Sequence, residues 1–511
     1  MTRNIVFLIV VATLLPVILN AQRIFYSEPD RNEQRTMSFD IAGKINNHYL
    51  IYKNNKSDNY ISVFDGEMKL IENVDINFMP DKLLGSDIIA YKDFFYLFYQ
   101  YQKRSIAYCM VAKMDGDGKI VGNPIQLDTT HINSFTNNRI YNIINSEDKL
   151  HIMAFKINSK NADNYILTTS LFDNDLKLYG KSRVNINMPE RSDFLSEFAL
   201  DNESALVFLR AAGTNENDNI KTLSLIIKQP AEDSISIHNI EVPDIYLDDV
   251  KVKINNINRN YLIASFYSKV RRGNIDGLYC ALWDKKYDGI VFTNHNTFSE
   301  EMRQDAKTDG NTKFAFNNFY IKNILMRRDG GFVIASESVY SSSRGGYNNS
   351  RWDYGYGSSF SRPSDYYLYN SPFYNSYYNP WSRYGNFGSY QMNRYFADNI
   401  VVLSFDSTAN LKWNNIIHKS QYDDNSDDFI GYGTFNTGGK FHFLFNQSEK
   451  KTQLLTDQSI TPDGEINRSP TLHNLSKEYQ FMPRNGKQVS SYELVVPCQY
   501  RNYICFAKIE Y

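Results

Sequence analysis

The chain has 511 residues, 42% hydrophobic and 15% aromatic, enough to bury several ordinary cores or one large repetitive one. Its 55 basic and 57 acidic side chains leave a formal net charge of −2, which gives no global field for nucleic acid or an anionic membrane, so neither is expected as a partner. Four cysteines do not make a disulfide scaffold.

Met1-Thr-Arg3-Asn leads into an apolar stretch from Ile5 to Leu19, broken by Thr13 and Pro16, and then Asn20-Ala21-Gln22. A charged start, a short apolar core and a small residue at a plausible cut predict a secretory signal peptide over 1–21 and a mature domain over 22–511. An N-terminal membrane anchor is the alternative. The stretch is short and broken for that role, and no later segment approaches the ~20 apolar residues that spanning needs, so no transmembrane segment is expected in the mature chain. With no cysteine at the cut, a lipid anchor is not expected.

From here an alternating apolar run ending in an acidic turn recurs through the chain. It appears as Tyr60-Ile-Ser-Val-Phe-Asp65, Ala107-Tyr-Cys-Met-Val-Ala-Lys-Met-Asp115, Tyr165-Ile-Leu-Thr-Thr-Ser-Leu-Phe-Asp173, Leu278-Tyr-Cys-Ala-Leu-Trp-Asp284 and Ile400-Val-Val-Leu-Ser-Phe-Asp406. Strand periodicity recurring at this spacing marks one supersecondary unit copied around a ring. Each unit reads as four short strands, the marked run being the third. Long amphipathic helical patterns are nearly absent. An all-β propeller of seven or eight four-stranded blades is therefore expected, eight being favoured, because radial repetition buries every blade face and leaves only short edges. The final unit, Tyr492 to Ile509, lacks an outer strand, and residues 23 to 30 are expected to supply it and close the ring.

In the sixth unit, Ser341 to Tyr395 holds twelve Tyr and twelve Ser but no Ile or Val. Such a segment cannot build an aliphatic core and is expected to be a long excursion from its blade. Its aromatic residues with polar tips, Trp352, Tyr354, Tyr356, Tyr366, Tyr367, Tyr377, Tyr378 and Trp381, are candidates for anchoring a protein partner or stacking on a glycan; a loop without a ligand is the alternative.

Enzyme signatures are missing. The eight histidines lie singly, without zinc spacing, and there is no nucleophile elbow, phosphate loop or dinucleotide fingerprint. No catalytic residue, metal or cofactor is expected. The recurrent carboxylates Asp65, Asp115, Asp173, Asp284, Asp406 and Asp463 read as turn formers, since Asp satisfies nearby backbone N–H groups. Asp115-Gly-Asp-Gly118 lacks the remaining ligands of a calcium loop. Ser404-Phe-Asp406 through Trp413 is similar to the aspartate box of sialidase propellers, with Thr408 in place of its glycine. Cys498 and Cys505 would stand opposite each other across a turn at Arg501-Asn502 and could bridge if theirs is a non-hydrogen-bonded pair; two buried thiols are the alternative. Cys109 and Cys280 are expected to be apart and reduced.

The Asn-Ala-Gln signal end, the strand Asn399 to Asp406 after a Tyr-rich insert, Leu411-Lys-Trp413 with Lys419-Ser-Gln421, and the ending Cys498 to Tyr511 together resemble a group of uncharacterised exported β-propeller proteins of Bacteroidota. The resemblance implies a fold and an address but no catalytic residue. The expected function is a non-enzymatic scaffold in the periplasm or at the outer membrane, docking another envelope protein. A glycan-binding propeller or glycosidase serving polysaccharide uptake is the alternative, and it requires acidic pairs converging on the central channel.

Overall fold

A computed structural model describes residues 22–30, 37–55, 58–132, 139–161, 163–190, 192–213, 219–230, 232–307, 310–343, 393–424, 427–449, 452–469 and 479–511. The described chain is a succession of antiparallel units spanning 37–75, 85–131, 142–187, 194–240, 246–297, 319–424, 432–468 and 479–510, of four strands each except the sixth and the eighth, which have five. Hydrogen bonding groups them into seven sheets, because units four and five are joined through the single pair Ile220↔Leu247. Neighbouring units meet through their first strands, and unit eight meets unit one through its second. Phe194–Leu200, Tyr246–Asn255 and Phe319–Met326 touch in sequence, and Lys487–Ser490 of unit eight touches Met37–Ile45 of unit one, so the ring closes.

Closure uses the two ends of the chain. Arg23–Tyr26 pairs antiparallel with Tyr503–Glu510, from Arg23↔Glu510 to Tyr26↔Ala507, as the outermost strand of unit eight. The Ser27 N–H donates to the Phe506 carbonyl (2.8 Å), and the Phe506 N–H donates to Ser27 Oγ (3.0 Å). The outer strand expected from residues 23 to 30 is thus found within that segment.

The core lies between units, which explains why the second strands read as almost unbroken apolar runs. Successive side chains of a strand point to opposite faces. In His48–Asn55, Leu50 and Tyr52 pack with Phe95 and Leu97 of unit two, while Tyr49 and Ile51 pack with Val495 and Phe506 of unit eight. Both faces are therefore buried, as in sheets covered on two sides. Among the described residues the one α-helix is Glu300–Ala306, capped by Ser299 Oγ accepting from the Met302 N–H, and it sits in the connection between units five and six.

The acidic turns follow one local rule. Oδ1 of Asp65 accepts from the N–H groups of Glu67 (2.8 Å) and Lys69 (2.9 Å), and Asp115, Asp173 and Asp406 repeat the pattern two and four residues on. Asp284 keeps only the first of these bonds, from Lys286 (2.8 Å). At Asp463 the reading is corrected: the acceptor in that turn is Thr461 Oγ1, bonded by the Glu465 N–H (3.1 Å). The residue three places after the carboxylate is left-handed, at Met68 (φ 61°), Gly118 (73°), Leu176 (63°) and Ala409 (61°). Met68 and Ala409 are wholly buried, so packing offsets the backbone strain that glycine would avoid.

The second and third strands of unit six run long, Phe332–Ser343 and Asn393–Phe405, and stay paired out to Ser343↔Asn393. The aromatic candidates Trp352, Tyr354, Tyr356, Tyr366, Tyr367, Tyr377, Tyr378 and Trp381 lie outside the described residues, as does the 1–21 segment.

Candidate active site on the innermost strands

Three consecutive innermost strands carry an extra residue. Register shifts occur at Ser196/Ala199 in unit four, Asp248/Lys251 in unit five and Ile321/Asn323 in unit six. A bulge of this kind re-aims a side chain out of the pleat, and bulges are over-represented beside active sites. Glu197 with Phe198, Asp249 with Val250, and Lys322 lie within them, and the charged residues are Glu197, Asp249 and Lys322. Glu197 (φ 58°) and Asp249 (φ 56°) are the non-glycine left-handed residues that lie inside strands; the others described sit in turns or connections. Backbone strain held within a strand requires surrounding structure that fixes it, and such strain clusters at functional sites.

The bulges are linked to one another. Lys251 Nζ lies 3.1 Å from Glu197 Oε1 and 3.5 Å from Asp249 Oδ1, so one ammonium bridges the two carboxylates. Asp249 Oδ2 accepts from the backbone N–H of Ile321 (2.6 Å) in the next unit. Burial raises the Glu197 carboxyl above the ordinary Glu value, with Lys251 pulling against it. Lys322 is exposed to solvent, yet protein stands on several sides of its ammonium; burial lowers its pKa, Glu337 and Asp249 oppose that shift, and Arg484 and Lys251 reinforce it.

Beside this group lies a dry ion pair. Lys419 Nζ stands 2.8 Å from Glu337 Oε1, both side chains almost fully buried, and also donates to the Ala397 carbonyl (2.8 Å) and Gln421 Oε1 (2.7 Å). Gln421 passes the chain of bonds to the Asn446 carbonyl (2.7 Å) in unit seven. Arg484 is held by Asp427, donating to its carbonyl (3.0 Å) and carboxylate (2.7 Å). Glu337 lies on the same strand that runs on to Ser343 and the insert.

Two other polar groupings are enclosed or already bonded to the protein. Asp457 is buried, accepts from Gln22 Nε2 (2.7 Å) and lies 3.0 Å from His442 Nδ1; the rings of Tyr511 (4.7 Å) and Phe435 (5.7 Å) enclose that imidazole. A cleft of about 330 Å³ on unit four is lined by Glu190, Asp193, Arg210, Lys221, Ser224 and Asn239, but Arg210 donates to the Asn187 carbonyl and Asp193 accepts from the Glu190 N–H. Among the described residues no three His, Cys, Asp or Glu side chains converge to hold a metal ion, and no helix is long and apolar enough to cross a membrane.

Cys498 and Cys505 are cross-strand partners with sulfurs 2.7 Å apart. The Pro497 carbonyl turns away from that hairpin to accept from the Met482 N–H (2.8 Å), and Phe506 turns away to Ser27. The alternation of antiparallel pairing then makes Cys498/Cys505 a hydrogen-bonded pair, not the kind on which the bridge was conditional. Cys109 and Cys280 are buried in separate cores.

The sequence reading missed Glu197, Asp249, Lys251 and Lys322. Their one local trace is the charged run Leu247-Asp-Asp-Val-Lys251 within an innermost strand, where alternation alone would place apolar residues.

No protein-family model and no curated protein matches the chain. Solved structures do match over most of its length. A prolyl oligopeptidase B from Galerina marginata is 8% identical, with 92% of this chain and 56% of that chain covered and a TM-score of 0.40. An ulvan lyase, a polysaccharide lyase, is 9% identical over 82% of this chain and 90% of that one, at 0.35. A Synechocystis apocarotenoid oxygenase is 7% identical over 73% and 72%, at 0.34. The chain spans little more than half the length of the prolyl endopeptidase structures it matches, 55% in one of them. These proteins are enzymes, and that corrects the expectation of a non-enzymatic protein. The likeness is one of fold, and it assigns neither a reaction nor a residue.

Proposed function

We propose that this protein is a glycan-acting propeller whose innermost strands in units four to six form a hydrolytic site. The observation that carries the reading is the placement of Glu197 and Asp249 at matching bulges in adjacent strands, both within reach of Lys251. Glycoside hydrolysis needs two carboxyl groups in different protonation states flanking the scissile bond. Glu197, with its pKa raised by burial, is the proton donor to the departing glycosidic oxygen. Asp249, held by Lys251 and the Ile321 N–H, is the partner that faces the sugar ring, as nucleophile or as base to a water. The fold supports the reading only in so far as a propeller brings several first strands around one axis.

We also propose export to the periplasm or outer membrane, on the strength of the N-terminal sequence, which would place the site where polysaccharides are met. The test of the catalytic reading is release of new reducing ends from a polysaccharide panel by the wild type, compared with Glu197→Gln and Asp249→Asn. Wild-type turnover lost in both variants while they still bind the same glycan is the expected result. Turnover that survives Glu197→Gln, or a wild type that neither binds nor cleaves any glycan, would overturn it.

A further inference from the structure

Four cations stand in this part of the molecule, and three are committed. Lys251 is held by Glu197 and Asp249, Lys419 by Glu337, and Arg484 by Asp427. Lys322 is different. It makes no ion pair or hydrogen bond among the described residues; its nearest ring is Tyr320, with Nζ 6.0 Å from the centroid. It occupies the bulge next to that of Asp249 and is open to solvent.

We infer that Lys322 recognises the anionic group of an acidic sugar, a uronate carboxylate or a sulfate ester, so that the glycan acted on is an acidic polysaccharide. This rests on the glycan reading above. Glu337 and Asp249 attract the Lys322 ammonium and Arg484 and Lys251 repel it, but among the described residues no carboxylate stands within ion-pair distance of it. A solvent-open ammonium with no counter-ion among the described residues is free to make a charge-assisted hydrogen bond to a ligand anion. Lysine suits this role as a point charge on a flexible stem that can follow either a carboxylate or a sulfate.

The test is calorimetric titration of the full chain with polygalacturonate, dextran sulfate and neutral dextran at fixed ionic strength, using wild type, Lys322→Met and Lys322→Arg. Binding of at least one acidic polymer about tenfold tighter than dextran is expected, lost by about tenfold in Lys322→Met and largely kept in Lys322→Arg, with unchanged melting curves. Which polymer binds identifies carboxylate or sulfate. Dextran binding as tight as the acidic polymers, or acidic binding indifferent to Lys322→Met, overturns the inference. If a neutral glycan is nevertheless cleaved in a Glu197-dependent way, the hydrolytic reading stands alone; if no glycan binds, both fall.

Discussion

Replacing Lys419 with methionine removes one half of an ion pair whose side chains are 1% and 2% exposed, and leaves the Glu337 carboxylate in a dry site. Removing one partner of such a pair costs about 3–5 kcal/mol, because the remaining charge loses its counter-ion without regaining water. The Ala397 carbonyl also loses its donor, whereas Gln421 Oε1 keeps the Gly431 N–H (2.9 Å). Unfolding entropy of about 2.1 cal/mol/K per residue over a chain of this size gives about 1 kcal/mol/K, so the melting midpoint should fall by about 3–5 °C. The assay is calorimetry supported by urea titration at unchanged slope. Lys419→Met/Glu337→Leu should recover at least half of the loss, since with both charges gone neither remains to be desolvated. A midpoint within about 1 °C of wild type for Lys419→Met, or a double variant whose loss equals the sum of the two single losses, would refute the reasoning.

Three further outcomes are expected. Burial, with Asp428, Asp424 and Asp427 close by, pushes the Asp423 carboxyl up to about 7, so its contribution is present below the unfolded value and is lost as pH rises through about 7; Asp423→Asn should be more stable than wild type at pH 8 and equal to it below pH 4 in parallel melts. Joining Ser343 to Asn393 by a two-residue turn in place of 344–392 should leave the melting midpoint within about 2 °C, because those residues are already cross-strand partners; a larger drop would show that the propeller needs the insert. Gly464→Ala should lower stability by about 1–3 kcal/mol in urea titrations, because at φ +91° a Cβ would stand 2.8 Å from the Trp413 ring, and an unchanged midpoint would contradict that packing.

What could be read from the sequence was local. Asp65, Asp115, Asp173 and Asp406 were recognisable as turn formers because a carboxylate and the amides it binds lie within five residues of one another. The closing strand was readable because unit eight visibly ended one strand short. Left-handed Met68, Leu176 and Ala409 carry no glycine signal; burial of Met68 and Ala409 in neighbouring packing replaces it. The candidate site was not readable. A bulge adds one residue to a strand without disturbing the apolar count, so Glu197, Asp249 and Lys322 look like ordinary outward positions until the register is known. Glu337, Lys419 and Arg484 are brought beside them by the ring from distant stretches of chain. The aromatic insert, by contrast, is conspicuous from residue composition alone.

The pairing of Arg23–Tyr26 with Tyr503–Glu510 also sets a timetable. The first described strand to leave the ribosome pairs with one made about 480 residues later, and at about 5–20 residues per second that is a wait of about half a minute to well over a minute. Throughout it Tyr503–Glu510 does not exist, and Arg23–Tyr26 remains an open edge able to pair with the wrong strand. Every intermediate in synthesis is an incomplete ring with two exposed flanks. Only when Tyr503–Glu510 arrives do both flanks disappear together, so a truncation that removes it should expose Arg23–Tyr26 to proteolysis as surely as a cut beside that strand.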